Sequence, residues 1–136
     1  MTTETSTSPA AVVQAGFEAF ATGDLAAFGE MFHADATWNH RNPDELGGIH
    51  RGRDGILAFI VESGDRTAGT LRAAPLAVLT GAEGRVAVVT RVSATRPDGR
   101  AFEDTQILLF AVEGDRVRSV DQYVGDPPAV TAFWAL

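Results

Sequence analysis

The side chains best suited to chemistry gather in one stretch, DATWNHRNPDELGGIHRGRDGI, running from Asp35 to Ile56. It holds Trp38, His40 and His50, with His33 just ahead of it. An imidazole titrates near neutral pH, so such a residue can give or take a proton or bind a metal. On an extended strand beginning at Ala36, alternation sets Trp38 and His40 on one face and Thr37 and Asn39 on the other. Further on, Asp104 and Gln106 share strand parity, placing a carboxylate and an amide on one face. An amide can polarise a carbonyl or stabilise an oxyanion, and a carboxylate can act as acid or base. The three histidines match no zinc-ligand spacing, so no metal site is assigned. No glycine-rich nucleotide loop follows a strand, and no GxSxG elbow offers a serine nucleophile. The reading is chemistry without a cofactor. Arg51 and Arg53 are expected to form surface ion pairs with Asp54 or Asp44.

Composition removes several other chemistries. The chain has no cysteine, so neither a disulfide nor a thiolate nucleophile is available. It also has no lysine, which excludes Schiff-base catalysis. A net charge of −7, with the eleven arginines dispersed, opposes binding to a phosphate backbone, so nucleic acid is not an expected partner. The N-terminus MTTETSTSPA has neither half of a secretory signal, and no apolar run is long enough to span a bilayer. These features predict a cytoplasmic protein with no membrane partner.

The elements that must position these groups follow from periodicity. Residues 1–8 read as a disordered polar tail and 9–136 as one domain, since 136 residues can bury a single core. Ser8-Pro9 supplies a cap and a first-turn proline; Val13, Gly16, Phe17 and Phe20 then form one apolar helical face. Asp24 caps a second short helix bearing Leu25, Phe28 and Phe32, and Gly52 to Gly64 forms a third helix. His33 is placed at the end of the second helix. Residues 41–48 lack a period and read as a rim loop, followed by a short strand at Ile49 and His50. From Leu71 four strand-length segments alternate with turns at Ala82-Glu83-Gly84, Pro97-Asp98-Gly99 and Glu113-Gly114-Asp115, an antiparallel meander. Asp126-Pro127 starts a short C-terminal helix. Helices followed by a meander define an α+β class, with the helices on one face of a strongly bent, mostly antiparallel sheet.

Four motifs carry a family resemblance: GDLAAFGEMF in the second helix, DATW entering the first strand, RGRDGI opening the third helix and EGDRV before the last strand. Over Ala11 to Trp134 the chain resembles the nuclear transport factor 2-like superfamily, which includes ketosteroid isomerases, SnoaL-like polyketide cyclases and limonene epoxide hydrolases. The resemblance implies a cone-shaped α+β roll around an apolar pocket, and a homodimer through the outer sheet face. It places the isomerase tyrosine position on Gly16, the base position on His40 and the acid position on Gln106. None of those three residue types is retained, which argues against steroid isomerisation by that mechanism. Epoxide hydrolysis ranks low because the strand Phe102 to Phe110 lacks the central arginine.

The resemblance also turns Trp38, His40, Val120, Gln122 and Val124 inward, and Asp121 outward. It thereby assigns His40 and Asp104 as catalytic groups and Trp38, His50, Gln106, Gln122, Phe17, Val120 and Phe59 as substrate-binding ones. The function implied is proton transfer, as in an isomerase, cyclase or dehydratase, on a small apolar or polycyclic, polyketide-like ligand. The competing reading is a small-molecule binding or dimeric interaction module of the same fold, whose pocket would show polar groups satisfied only by one another.

Overall fold

A computed structural model describes residues 8–136; the expected tail before Ser8 lies outside the described residues. Helix α1, Pro9–Thr22, is capped by Ser8, whose Oγ accepts from the Ala11 N–H at 3.2 Å, and ends at Gly23 with φ 73°. A left-handed residue here returns the chain without a Cβ penalty, and Asp24 then caps α2, Leu25–Glu30. Strand β1, Phe32–Arg41, and β2, Gly48–Arg51, lead into α3, Gly52–Arg66. The meander consists of β3, Arg72–Thr80, β4, Arg85–Thr95, β5, Ala101–Glu113, and β6, Arg116–Tyr123. Helix α4, Pro127–Trp134, follows its Asp126 cap.

The six strands form one sheet in the order β2-β1-β6-β5-β4-β3. The β1–β6 pair is parallel and the other pairs antiparallel, as the mostly antiparallel reading requires. Register shifts at Phe32/Thr37, Pro75/Ala77 and Ala111/Val112 introduce the local kinks that let a sheet curve around its helices. The result is the α+β roll with a short C-terminal helix. Strand alternation separates the faces: Val86, Val88, Thr90 and Val92 of β4, and Asp104, Gln106, Leu108 and Phe110 of β5, are buried inward. On the other face Leu79, Ile107 and Tyr123 are exposed in the single chain. Among the described residues no helix is long and apolar enough to cross a membrane.

Two local expectations are corrected. Strand β1 begins at Phe32 rather than Ala36, because the Val117 N–H donates to the Met31 carbonyl at 2.7 Å and draws the preceding turn into pairing with β6. His33 therefore lies on a strand, not at a helix end. Arg53 does not form a surface ion pair: its Nη2 donates to the Phe32 carbonyl at 2.6 Å, tying the first turn of α3 to β1.

Candidate active site

Between the helices and the inner sheet face lies a hollow of about 90 Å³. Its wall is mainly aromatic and aliphatic, with Phe17 and Phe20 from α1, Phe59 from α3, Trp38 from β1, Phe110 from β5 and Trp134 from α4 among the lining residues. Polar groups enter at His40, Gln106 and Gln122, with Ser63 on the helical side. Ser63 donates to the Phe59 carbonyl at 2.8 Å, the usual helical back-bond.

The three sheet residues form one hydrogen-bonded line. His40 and Gln122 are register partners on the parallel β1–β6 pair, and Leu108, two residues beyond Gln106, pairs with Gln122 on the β5 side. The indole Nε1 of Trp38 donates to Gln122 Oε1 at 2.9 Å. An indole N–H can only donate, so this contact fixes the Gln122 amide with its oxygen toward Trp38 and His40. Gln122 Nε2 then donates to Gln106 Oε1 at 2.8 Å, and Gln106 Nε2 donates to Asp104 Oδ2 at 3.1 Å. The far end agrees in polarity, because Asp104 Oδ2 also accepts from the Gly125 N–H at 2.9 Å.

At the near end His40 bridges two acceptors. Its Nδ1 lies 2.8 Å from Gln122 Oε1 and its Nε2 lies 2.7 Å from Asp44 Oδ2. Both side chains are enclosed, at 2% and 0% exposure. A ring carrying hydrogen on both nitrogens satisfies both acceptors, whereas a neutral ring would turn a lone pair toward one of the oxygens. Asp44 is held as a carboxylate. Burial alone would raise its pKa, but hydrogen bonds from His40 and Asn42, the charge of His40 and the Leu46 N–H together outweigh burial and bring it below the usual carboxylate value.

Six of the nine predicted site residues meet at the hollow: Phe17, Trp38, His40, Phe59, Gln106 and Gln122. Three do not, and their placement is corrected. Asp104 is buried, but its Oδ2 takes hydrogen bonds from Gly125 N–H and Gln106, so it holds Gln106 in place from behind the wall. His50 lies on the edge strand β2, stacked on Phe59 with ring centroids 4.2 Å apart, and bonded through Nε2 to the Leu46 carbonyl. Phe59 thus takes the lining position and His50 backs it. Val120, 1% exposed, sits in register between Trp38 and Phe110 and is enclosed in the core short of the wall.

Sequence reasoning missed Asp44, Leu46 and Met31. Asp44 and Leu46 belong to the stretch taken for a rim loop, yet Leu46 is buried in the wall and Asp44 Oδ1 accepts from its N–H at 2.8 Å. That i to i+2 bond is an Asx turn, which the Asn-Pro-Asp sequence could have signalled. Met31 fills the space over Gly16, where a Cβ would run into its sulfur, so thioether rather than a tyrosine hydroxyl occupies that part of the pocket. Among the described residues no three His, Cys, Asp or Glu side chains converge to hold a metal.

Comparison with known proteins agrees with this architecture. The SnoaL-like domain model matches residues 13–120, and the chain belongs to that family. An uncharacterized protein of Mycobacterium tuberculosis is 31% identical over 124 residues, covering 91% of this chain and 94% of the relative. The structure of Bal32a, from a soil-derived mobile gene cassette, is similar with TM-score 0.89 and 31% identity, covering 93% of this chain and 95% of that one. A Catenulispora acidiphila protein of ketosteroid isomerase-like fold, solved in complex with trimethylamine, shares the fold with TM-score 0.77 at 18% identity, covering 94% of each chain.

Proposed function

We propose that this protein acts on a small, mostly apolar carbonyl compound by acid-led proton transfer, of which dehydration of a β-hydroxy ketone is the form its residues support best. The observation that carries the reading is the single polar edge of an otherwise apolar hollow, a line from Asp44 through His40 and Gln122 to Gln106. Burying an ion pair in a core is costly and gives little stability in return, so its position beside a hollow is better accounted for by chemistry. Gln122 and Gln106 each use one amide hydrogen within the line, and the second is available to a carbonyl oxygen. On ligand entry His40 Nδ1–H exchanges its bond to Gln122 for one to the leaving hydroxyl. In one concerted event it donates its proton to the hydroxyl, which leaves as water, the α C–H bond supplies the electron pair of the new C=C bond, and the α-proton passes to the Nδ1 so freed. Asp44 retains the Nε2 hydrogen throughout and fixes the ring. Loss of water thus leaves the enzyme unchanged. Isomerisation is less well supported, because among the described residues no lining side chain stands free as a base at the start.

The test is the appearance of enone absorbance from 4-hydroxybutan-2-one. The wild-type protein should accelerate it, and His40→Gln should lose on the order of a hundredfold of that acceleration. No rate above buffer would exclude the reaction for this compound class.

One observation favours a second reading, binding without turnover: the polar atoms of the edge are already paired with one another. Calorimetric binding of the ketone with no enone formed would select it.

A further inference from the structure

The helical side of the hollow is only one layer of side chains thick. Phe20, Phe28, Ile60 and Leu71 line the hollow on one side, and the same four line an outer groove between α1–α2 and α3 on the other. That groove is larger than the hollow, at about 680 Å³, and Leu25 and Val61 expose apolar surface beside it. Phe28 is fixed, buried at 5% and packed against Phe20 and Phe32 at 6.0 and 5.3 Å. Phe20, Ile60 and Leu71 are half-buried, each with one side in the hollow and one toward the groove.

From this thin shared wall we infer that the ligand is elongated: its carbonyl end sits in the hollow and an uncharged linear alkyl chain passes between Phe20, Ile60 and Leu71, which turn aside to admit it, into the groove. This rests on the proposed carbonyl-binding role of the polar edge. With about 90 Å³ of free space the hollow suits a compact ketone such as cyclohexanone, and a longer ligand gains further apolar contact only by continuing through the septum. The groove's two charged residues, Asp65 and Arg72, are opposite in sign and its remaining lining is mostly apolar or small, which suits an uncharged tail.

Calorimetric affinities of 2-butanone, 2-hexanone, 2-octanone and 2-decanone, with cyclohexanone as the compact ketone, test this. Once the tail reaches the groove, affinity should rise about twofold per methylene, half the free-energy gain of full burial because one side of the groove faces water. Gly64 lies in the groove, and a Cβ there meets nothing within 4 Å, so Gly64→Trp fills the groove without crowding the helix. It should abolish the length dependence and leave cyclohexanone unchanged; Val61→Glu, charging the groove from an exposed position, should do the same. Equal length dependence in wild type and both variants would overturn the groove assignment. Cyclohexanone binding with no length dependence in wild type would also overturn it while leaving the carbonyl pocket standing. If no ketone binds, the proposed function itself fails, and the tail site with it.

Discussion

Replacing Asp44 with alanine should destabilise the fold by about 3–5 kcal/mol, the usual cost of removing one partner from a buried ion pair. The structure accounts for this size. The carboxylate is fully enclosed and receives hydrogen bonds from His40 Nε2 at 2.7 Å, from Asn42 Nδ2 and from the Leu46 N–H at 2.8 Å; the His40 and Leu46 donors would be left without an acceptor, while Asn42 Nδ2 would keep only its bond to Thr131 Oγ1. These losses overlap, so they are not summed. For a domain of this size the change corresponds to a fall in Tm of about 10–20 °C. Asp44→Asn should cost less, about 1–2 kcal/mol, because it keeps the shape and the acceptor for Leu46 and lets a neutral His40 ring accept at Nε2. Urea unfolding of the three proteins at several pH values is the assay. The pKa of Asp44 is lowered in the fold. Its stabilising contribution is therefore complete above the unfolded-state value near 4 and is lost as pH falls through the lower folded value. The gap between wild type and Asp44→Ala should narrow as pH falls below about 4. A gap under about 0.5 kcal/mol at pH 7, or one that does not narrow below pH 4, would refute the buried pair as a fixed element of the fold.

Gln122→Leu removes the acceptor shared by Trp38 Nε1 and His40 Nδ1 and should cost about 2–4 kcal/mol in urea unfolding, with a change in tryptophan emission. Gly125→Ala would press a Cβ against the Thr105 carbonyl and to 2.7 Å from Asp104 Oδ1, so about 1–3 kcal/mol should be lost through backbone displacement. Because that change also shifts the anchor of Gln106, ketone affinity should fall along with stability. Gly16→Ala displaces the Met31 thioether toward the hollow; stability should change by less than about 1 kcal/mol, since alanine favours the helix, while cyclohexanone affinity drops. If the outer sheet face joins two copies, Ile107→Glu, flanked in register by Val89 and Tyr123, should shift sedimentation from dimer to monomer; a monomeric wild type would contradict that assembly.

The regular elements were legible because each carries local chemistry that tertiary packing does not override. Ser8-Pro9 and Asp126-Pro127 mark helix starts by cap and first-turn proline, and both do start helices. Two-residue alternation placed Trp38 and His40 on one face of β1, and both line the hollow. Alternation failed to distinguish positions along the strand axis. Asp104 and Gln106 share a face, yet only Gln106 reaches the hollow, because Asp104 lies one pair further out, where the chain leaves β6 through Gly125. Asp44 was the largest omission. A loop without a period gives no sign of which side chain turns inward, and its burial depends on His40 from a different element supplying a partner. The extra turn of sheet at Phe32 was hidden for a similar reason, since its pairing depends on Val117, far along the chain.

The proposed function requires a ligand carbonyl to lie against the edge formed by His40, Gln122 and Gln106. The carbonyl-13C resonance of bound, labelled cyclohexanone reads this directly. Hydrogen bonding to the edge should move it downfield of its position in hydrocarbon solvent, and Gln122→Leu should reduce that displacement. A bound carbonyl resonating as it does in hydrocarbon solvent, unaffected by Gln122→Leu, would contradict the account.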